Sequence, residues 1–254
     1  MSSAKDKVAI VLGASAPNGI GWACAKRLAD EGAKVVVAAR SFDKLAALAE
    51  PENMLPVRCD ASSRADIEAL AAAAIKRHGR IDIAINSAGF GEVAMIADTN
   101  EDMLRRSFEM NFLPMFHFVQ VMTAAMGDRS QADMGSIVLV STMSVEHPMP
   151  GVFSYAAAKG STDTLVRYAA LEYGPRNIRI NSINPGLVLT DLARSSDIDD
   201  LDAVAAIASD ATALKRLATP AECADAAHWL ATSAFITGAH IKVAGGAHIR
   251  PQFG

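Results

Sequence analysis

Short apolar runs alternate along the chain with longer stretches in which apolar residues return every three or four positions, the pattern of strands alternating with helices. Read in order, "KVAIVLG" precedes a helical pattern over Gly19–Glu31, "AKVVVAAR" precedes Ser41–Ala49, and "MLPVRCD" precedes Ser62–Arg77. "IDIAINSAG" is followed by one helical stretch from Asn100 to about Ala125, "GSIVLVST" by a helix through Tyr155 to Tyr173, and "NIRINSINPG" closes the series. Such alternation predicts parallel strands joined by helices. Several of the runs are apolar at consecutive positions, as expected of strands covered on both faces. The predicted fold class is therefore α/β, a doubly wound parallel sheet with helices on both sides.

That architecture locates a site before any motif does, because ligands bind outside the carboxyl ends of the strands. The polar and glycine-rich residues that follow the runs are Gly13–Gly21, Arg40–Ser41, Asp60, Asn86–Gly89, Ser141–Ser144 and Asn184–Thr190. All are expected along one edge of the sheet.

Composition narrows the picture. With 254 residues, 51% hydrophobic and 20% charged, the chain fits one domain over residues 1–254, without a linker-like or low-complexity boundary. A net charge of −4 gives no overall electrostatic footprint for nucleic acid. Cys24, Cys59 and Cys223 are odd in number and widely spaced, so buried thiols are expected rather than a disulfide framework or a zinc site. The six histidines lack metal-ligand spacing, and no metal is expected. Apolar runs such as Val8–Leu12 and Val35–Ala39 are too short to cross a bilayer, and "MSSAKDKVAIVLG" lacks a signal-peptide apolar region. A soluble cytoplasmic protein is the expectation.

Between the first run and the first helix stand Gly13, Gly19 and Gly21, where absent side chains let backbone N–H groups approach a pyrophosphate at a helix amino terminus. The second run ends with Ala39 where an NAD site places a carboxylate, and Arg40 follows it. A guanidinium there suits a 2′-phosphate, so NADP(H) is preferred and NAD(H) remains possible.

"SYAAAKG" then sets Tyr155 four residues before Lys159, on one face of a helix. Neither Tyr168 nor Tyr173 has a lysine at that offset. A free phenol has a pKa near ~10, and an ammonium about 6 Å away favours the phenolate by roughly 2–3 kcal/mol, about two pKa units. The expectation is a tyrosine made acidic enough for proton transfer.

Together "GASAPNGIG", Asp60, "NSAG" at Asn86–Gly89, Asn111 in "EMNF", Tyr155 with Lys159, "NPGLVLT" at Asn184–Thr190 and the late "ITGAHIKVAGG" resemble the short-chain dehydrogenase/reductase family over nearly the whole chain. The resemblance implies a Rossmann-like single domain that interconverts a ketone or aldehyde with an alcohol by hydride transfer. It implies Tyr155 as the general acid/base, Lys159 as its cation and a holder of the nicotinamide ribose, and Asn111 as part of a water-linked proton path. The serine usual thirteen positions before the tyrosine is Thr142 here, with Ser141 and Ser144 as substitutes. Implied cofactor-binding residues are Gly13, Ser15, Asn18, Gly19, Ile20, Arg40, Ser41, Asp60, Ala61, Asn86, Ala88, Gly89, Pro185, Gly186, Val188 and Thr190, besides Tyr155 and Lys159. Five residues separate Gly13 from Gly19 where the family usually has three, which leaves the phosphate contacts open; Leu12 and Ala244 also depart from frequent family residues.

Two alternatives stand beside this reading. An enoyl reductase of the same fold usually separates tyrosine and lysine by six residues rather than three. A non-catalytic NADP(H)-sensing protein often loses one of the two, and this chain keeps both. Residues 191–217 are expected to cover the substrate, and with Met143–Phe153 and Phe90–Ile96 they suggest a mainly apolar pocket for a hydrophobic ketone or secondary alcohol. His147 is placed nearer the surface than the substrate. Apolar surface on the Tyr155 helix and on "CADAAHWLATSAF" suggests self-association, and the resemblance implies a homotetramer or homodimer.

Overall fold

The computed structural model describes residues 3–49, 52–194 and 200–249. Strand β1 (Val8–Leu12) leads to helix α1 (Ile20–Asp30), β2 (Lys34–Ala39) to α2 (Phe42–Leu48), and β3 (Met54–Arg58) to α3 (Arg64–His78). Strand β4 (Ile83–Asn86) is followed by α4 (Glu101–Asn111) and α5 (Leu113–Met126), and β5 (Gly135–Val140) by α6 (Phe153–Tyr173). Then come β6 (Ile178–Pro185), α7 (Asp191–Arg194), α8 (Leu201–Ala211), α9 (Pro220–Thr232) and β7 (His240–Val243). The described strands form one seven-stranded sheet in the order β3-β2-β1-β4-β5-β6-β7, and every pairing is parallel.

Strand order reverses between β1 and β4, where Leu12 stands opposite Asn86. The chain runs outward from this point in both directions, so the loops after β1 and β4 cannot cover each other and a crevice forms between them. The two faces of the sheet account for the apolar runs. From β1, Ala9 and Val11 enter a core with α1 and α9, while Ile10 and Leu12 enter a second core with α3, α5 and α6.

Local chemistry sets the helix ends. Ser63 accepts from the Asp66 N–H to start α3, and Gly79, at φ 81°, ends it. Thr219 and Glu222 form a reciprocal capping box at the start of α9. The single helix expected from Asn100 to about Ala125 is broken into α4 and α5 at Phe112. Pro114 is the reason: it has no N–H for the carbonyl four residues back, and its ring crowds that carbonyl. Among the described residues no helix is long and apolar enough to cross a membrane, and no cluster of metal-ligating side chains occurs. The cysteines are free and buried, with burial pushing the Cys59 and Cys223 thiols up to about 12.

Candidate active site

A cavity of about 410 Å³ opens along the carboxyl edge of the sheet and runs from the loop after β1 to the start of α6. At one end the turn between β1 and α1 is held by close backbone packing. Gly13 has φ +90°, and a Cβ there would lie 2.7 Å from the Ala88 nitrogen; a Cβ on Gly21 would lie 2.3 Å from the Gly13 oxygen. Gly19 caps α1 without a side-chain hydrogen bond, and no acidic residue stands in the first turn. Unpaired N–H groups at a helix start suit an anion.

The cavity wall brings together Gly13, Ser15, Gly19, Ile20, Arg40, Ser41, Ala61, Ala88, Gly89, Pro185, Gly186, Val188 and Thr190 with Thr142, Tyr155 and Lys159. Four other residues of the expected set lie off it. Asn18 is exposed. The Asp60 carboxylate accepts from the Ser62 N–H at 2.9 Å and hydroxyl at 2.7 Å, which, with Arg40 nearby, holds its pKa below the usual range; its neighbours Cys59 and Ala61 reach the cavity instead. Buried Asn86 accepts from the Ala88 N–H at 3.0 Å, shaping the loop from behind. Asn111, at the end of α4, accepts from the Phe90 N–H at 2.8 Å and donates to the Phe90 carbonyl at 2.9 Å. Its amide thus pins the loop after β4, beside Gly89.

The three candidate hydroxyls separate clearly. Ser141 donates to the Lys159 carbonyl at 3.4 Å, so it faces the α6 backbone. Thr142 accepts from the Ser144 N–H at 3.2 Å and favours the ionised Tyr155 phenol against its burial. Ser144 meets Thr142 hydroxyl to hydroxyl at 3.3 Å. Of the three hydroxyls, Thr142 is the one that acts on the acidity of the phenol.

The Lys159 ammonium is 5.9 Å from the Tyr155 ring centroid and donates to the Val140 carbonyl at 2.9 Å. Lys159 is almost wholly buried, and desolvation lowers its pKa to about 8 against the opposing pull of Asp163. Asp163 is itself fixed by a 2.9 Å hydrogen bond from Asn184. Desolvation of the phenol raises Tyr155 to about 12, with the Thr142 hydrogen bond acting the other way. The sequence-based expectation of an acidified phenol is corrected here: in the protein alone, burial is the larger influence on Tyr155 and raises it.

Of the loops expected to surround a substrate, Gly91, Glu92 and Val93 line the cavity, as do Met143, Ser144, Met149 and Val152. In segment 191–217 only Leu192 and Ala193 do so among the described residues, while α8 does not and residues 195–199 lie outside the description. His147 is half-buried, its ring 6.1 Å from that of His248. Sequence reasoning passed over Cys59 and Glu92. Nothing in the sequence marked Cys59, whereas Glu92 was visible as the sole charge in Phe90–Ile96.

A family model described as enoyl-(acyl carrier protein) reductase matches residues 13–248. A 7alpha-hydroxysteroid dehydrogenase of Escherichia coli K12 is 32% identical over 247 residues, spanning 94% of this chain and 93% of the relative. Dehydrogenase/reductase SDR family member 4 of Homo sapiens is 31% identical over 95% of this chain and 87% of its own. A solved dehydrogenase/reductase from Sinorhizobium meliloti 1021 superposes with a TM-score of 0.84 at 29% identity, covering 96% of this chain and 95% of that one. A doubly wound sheet with relatives named as dehydrogenases and reductases defines the class. The chain belongs to the short-chain dehydrogenase/reductase family, whose members use nicotinamide cofactors.

Proposed function

We propose that the protein is an NADP(H)-dependent oxidoreductase that interconverts an apolar ketone or aldehyde with the corresponding alcohol, using Tyr155 as the proton donor and acceptor. The observation that carries this reading is the grouping of Tyr155, Thr142 and Lys159 on the wall of one cavity, with the buried ammonium 5.9 Å from the centre of the phenol ring.

The residues present fit a dinucleotide: the uncapped start of α1, the glycine turn and the Pro185–Thr190 loop form its cradle, with Arg40 and Ser41 at the end of β2. When bound, the nicotinamide supplies or accepts the hydride. In reduction, Thr142 orients the substrate oxygen and Tyr155 gives its proton to that oxygen as negative charge develops there. Lys159 stabilises the resulting phenolate, and Asp163 in turn favours the charged lysine. In oxidation the same groups act in reverse. Ala39 and Arg40, without a carboxylate at the end of β2, support the NADP(H) preference.

The test is loss of NADPH absorbance with a panel of ketones, compared with NADH. Tyr155→Phe is expected to lower kcat by about 10²–10⁴; undiminished turnover in that variant refutes the role. A second reading, reduction of a C=C bond, is favoured by the description of the matching family model. With an enone as substrate, an allylic alcohol supports carbonyl reduction, whereas a saturated ketone supports the enoyl reading. Exposed Tyr168 and Leu171 on α6, with Trp229 on α9, support self-association as a homotetramer or homodimer.

A further inference from the structure

The chain just past β5 sets two hydroxyls side by side at the cavity. Thr142 is in extended backbone, with φ −154° and ψ 148°, and Met143–Val145 follow as one tight helical turn. The Ser144 N–H closes that turn onto the Thr142 hydroxyl oxygen at 3.2 Å, which leaves the Ser144 Oγ 3.3 Å from the same oxygen. Both residues line the cavity, together with the apolar Met143, Met149 and Val152.

A hydroxyl has one hydrogen to donate and two lone pairs that accept. The half-buried Ser144 hydroxyl meets only Thr142 among the described residues. Their contact of 3.3 Å is longer than the usual range of about 2.5–3.0 Å between hydroxyl oxygens, so the bond is weak and costs little to give up. When the Thr142 hydrogen turns to a substrate carbonyl, Ser144 keeps both a hydrogen and free lone pairs beside the oxygen that holds the carbonyl. The group that suits this place both accepts and donates, and it lies next to the carbonyl oxygen. A hydroxyl on the carbon beside the carbonyl meets both conditions, because neighbouring oxygens of one molecule stand nearly as far apart as those of Thr142 and Ser144. Two near-parallel hydrogen bonds then replace one weak one. An alkyl group there would shut the Ser144 hydroxyl away from water without a partner.

We propose that Ser144 is a specificity-determining residue that hydrogen-bonds a hydroxyl on the carbon adjacent to the reacting carbonyl, so that the preferred substrates are α-hydroxy ketones with an apolar remainder. The products are vicinal diols. Hydride adds to the carbonyl carbon, the electron pair of the C=O π bond moves to oxygen and takes the Tyr155 proton, and the neighbouring hydroxyl is unchanged. This rests on the carbonyl-reductase reading for the reacting group, and the experiment below separates the two.

The probes are octan-2-one, its C3-methyl derivative, and octan-2-ones with a hydroxyl at C3, C4 or C5. Both kcat/KM with NADPH and calorimetric binding to the protein loaded with NADP⁺, where no hydride is available, are measured. The ratio of the C3-hydroxyl ketone to the C3-methyl ketone is expected to be about threefold to tenfold higher in wild type than in Ser144→Ala, the range for a neutral hydrogen bond. Activation of the carbonyl by its neighbouring oxygen is the same in both proteins and cancels. Because each ratio compares substrates within one protein, a general loss of folded protein cancels too. In wild type alone, the binding advantage of a hydroxyl should be confined to C3. Equal ratios in wild type and Ser144→Ala, or a greater binding advantage at C4 or C5, overturns the inference. Turnover of octan-2-one alongside equal ratios removes this inference and leaves the carbonyl-reductase reading standing. Binding selective for the C3 hydroxyl that needs Ser144 but comes without turnover upholds it and sinks the carbonyl-reductase reading instead.

Discussion

At the scale of the residue, Tyr155 and Lys159 illustrate what spacing can and cannot give. An offset of four on a helix makes them neighbours whatever surrounds them, so their pairing was legible in the sequence. Their protonation was not, because desolvation depends on what the rest of the chain packs around them. The consequence is testable. Lys159 titrates at about 8 in the folded protein against ~10.4 unfolded, so between those values the unfolded chain binds more protons. Relative to Lys159→Met, the stability of the protein without added cofactor should therefore rise with pH across that window, by up to about 1.4 kcal/mol per pH unit. The buried Cys59 and Cys223 thiols and Tyr155, all raised to about 12, pull the other way above ~8.5 and ~10 in both proteins, because there the folded state holds the extra protons. Urea denaturation from pH 7 to 10 should show the difference between wild type and Lys159→Met growing with pH; parallel curves would contradict the assignment. Asp163→Asn removes the carboxylate that supports the ammonium and is expected to move the Lys159 titration to lower pH. Glu92 could have been found by asking which single charge interrupts an apolar loop.

At the scale of the element, the first six strands and the order of the long helices follow from period and run length. Two features did not. The break between α4 and α5 needed weight to be given to Pro114 within an otherwise continuous apolar pattern. Strand β7 is four residues long, each only half-buried, so its apolar signal is weak and pairing with β6 makes it a strand. Tertiary contact also finishes α9. The buried Arg179 guanidinium, from β6, donates to the Leu230 and Ala231 carbonyls at 2.7 Å each and to that of Ile236 at 3.2 Å. It satisfies the helix end and complements its dipole, although burial lowers its pKa to about 10. Arg179→Met is expected to cost about 2–4 kcal/mol by leaving buried carbonyls unpaired, read as a lower urea midpoint; an unchanged midpoint would show that these bonds are dispensable. In the glycine turn, Gly21→Ala forces a Cβ against the Gly13 oxygen. Weaker nucleotide binding and lower stability should appear together in that variant.

At the scale of the whole molecule, the two ends of the sheet have different work. The carboxyl end carries the cavity, while the other end is closed by charge. Asp82 is buried, accepts from the Val8 N–H at 2.9 Å and the Arg80 Nε at 2.8 Å, and pairs with the largely buried Arg129. Asp133, hydrogen-bonded by Lys7 and Arg80, has its pKa lowered to about 2. A depressed carboxylate contributes stability above its unfolded value of ~3.9 and loses it as pH falls toward 2, so acid unfolding should begin in that window. Asp82→Ala leaves Arg129 without its main partner and is expected to cost about 3–5 kcal/mol, with the melting temperature falling accordingly. On the outer surface, Leu171 is 78% exposed. Leu171→Glu should shift the sedimenting species to a smaller assembly if α6 is the self-association face; an unchanged species would place that face elsewhere.

By itself the sequence determined the alternation of strands and helices, the edge along which glycines and polar residues gather, and the Tyr155–Lys159 pair. Each is a local or periodic property, set by side chains within a few positions of one another. Only the tertiary structure decided which hydroxyl acts on the acidity of the phenol, how far burial moves the two titrations, and that Asn111 and Asn86 support loops from behind the cavity. Those outcomes depend on how loops and helices pack around the site and how far that packing excludes water, and the linear order of residues does not specify such surroundings.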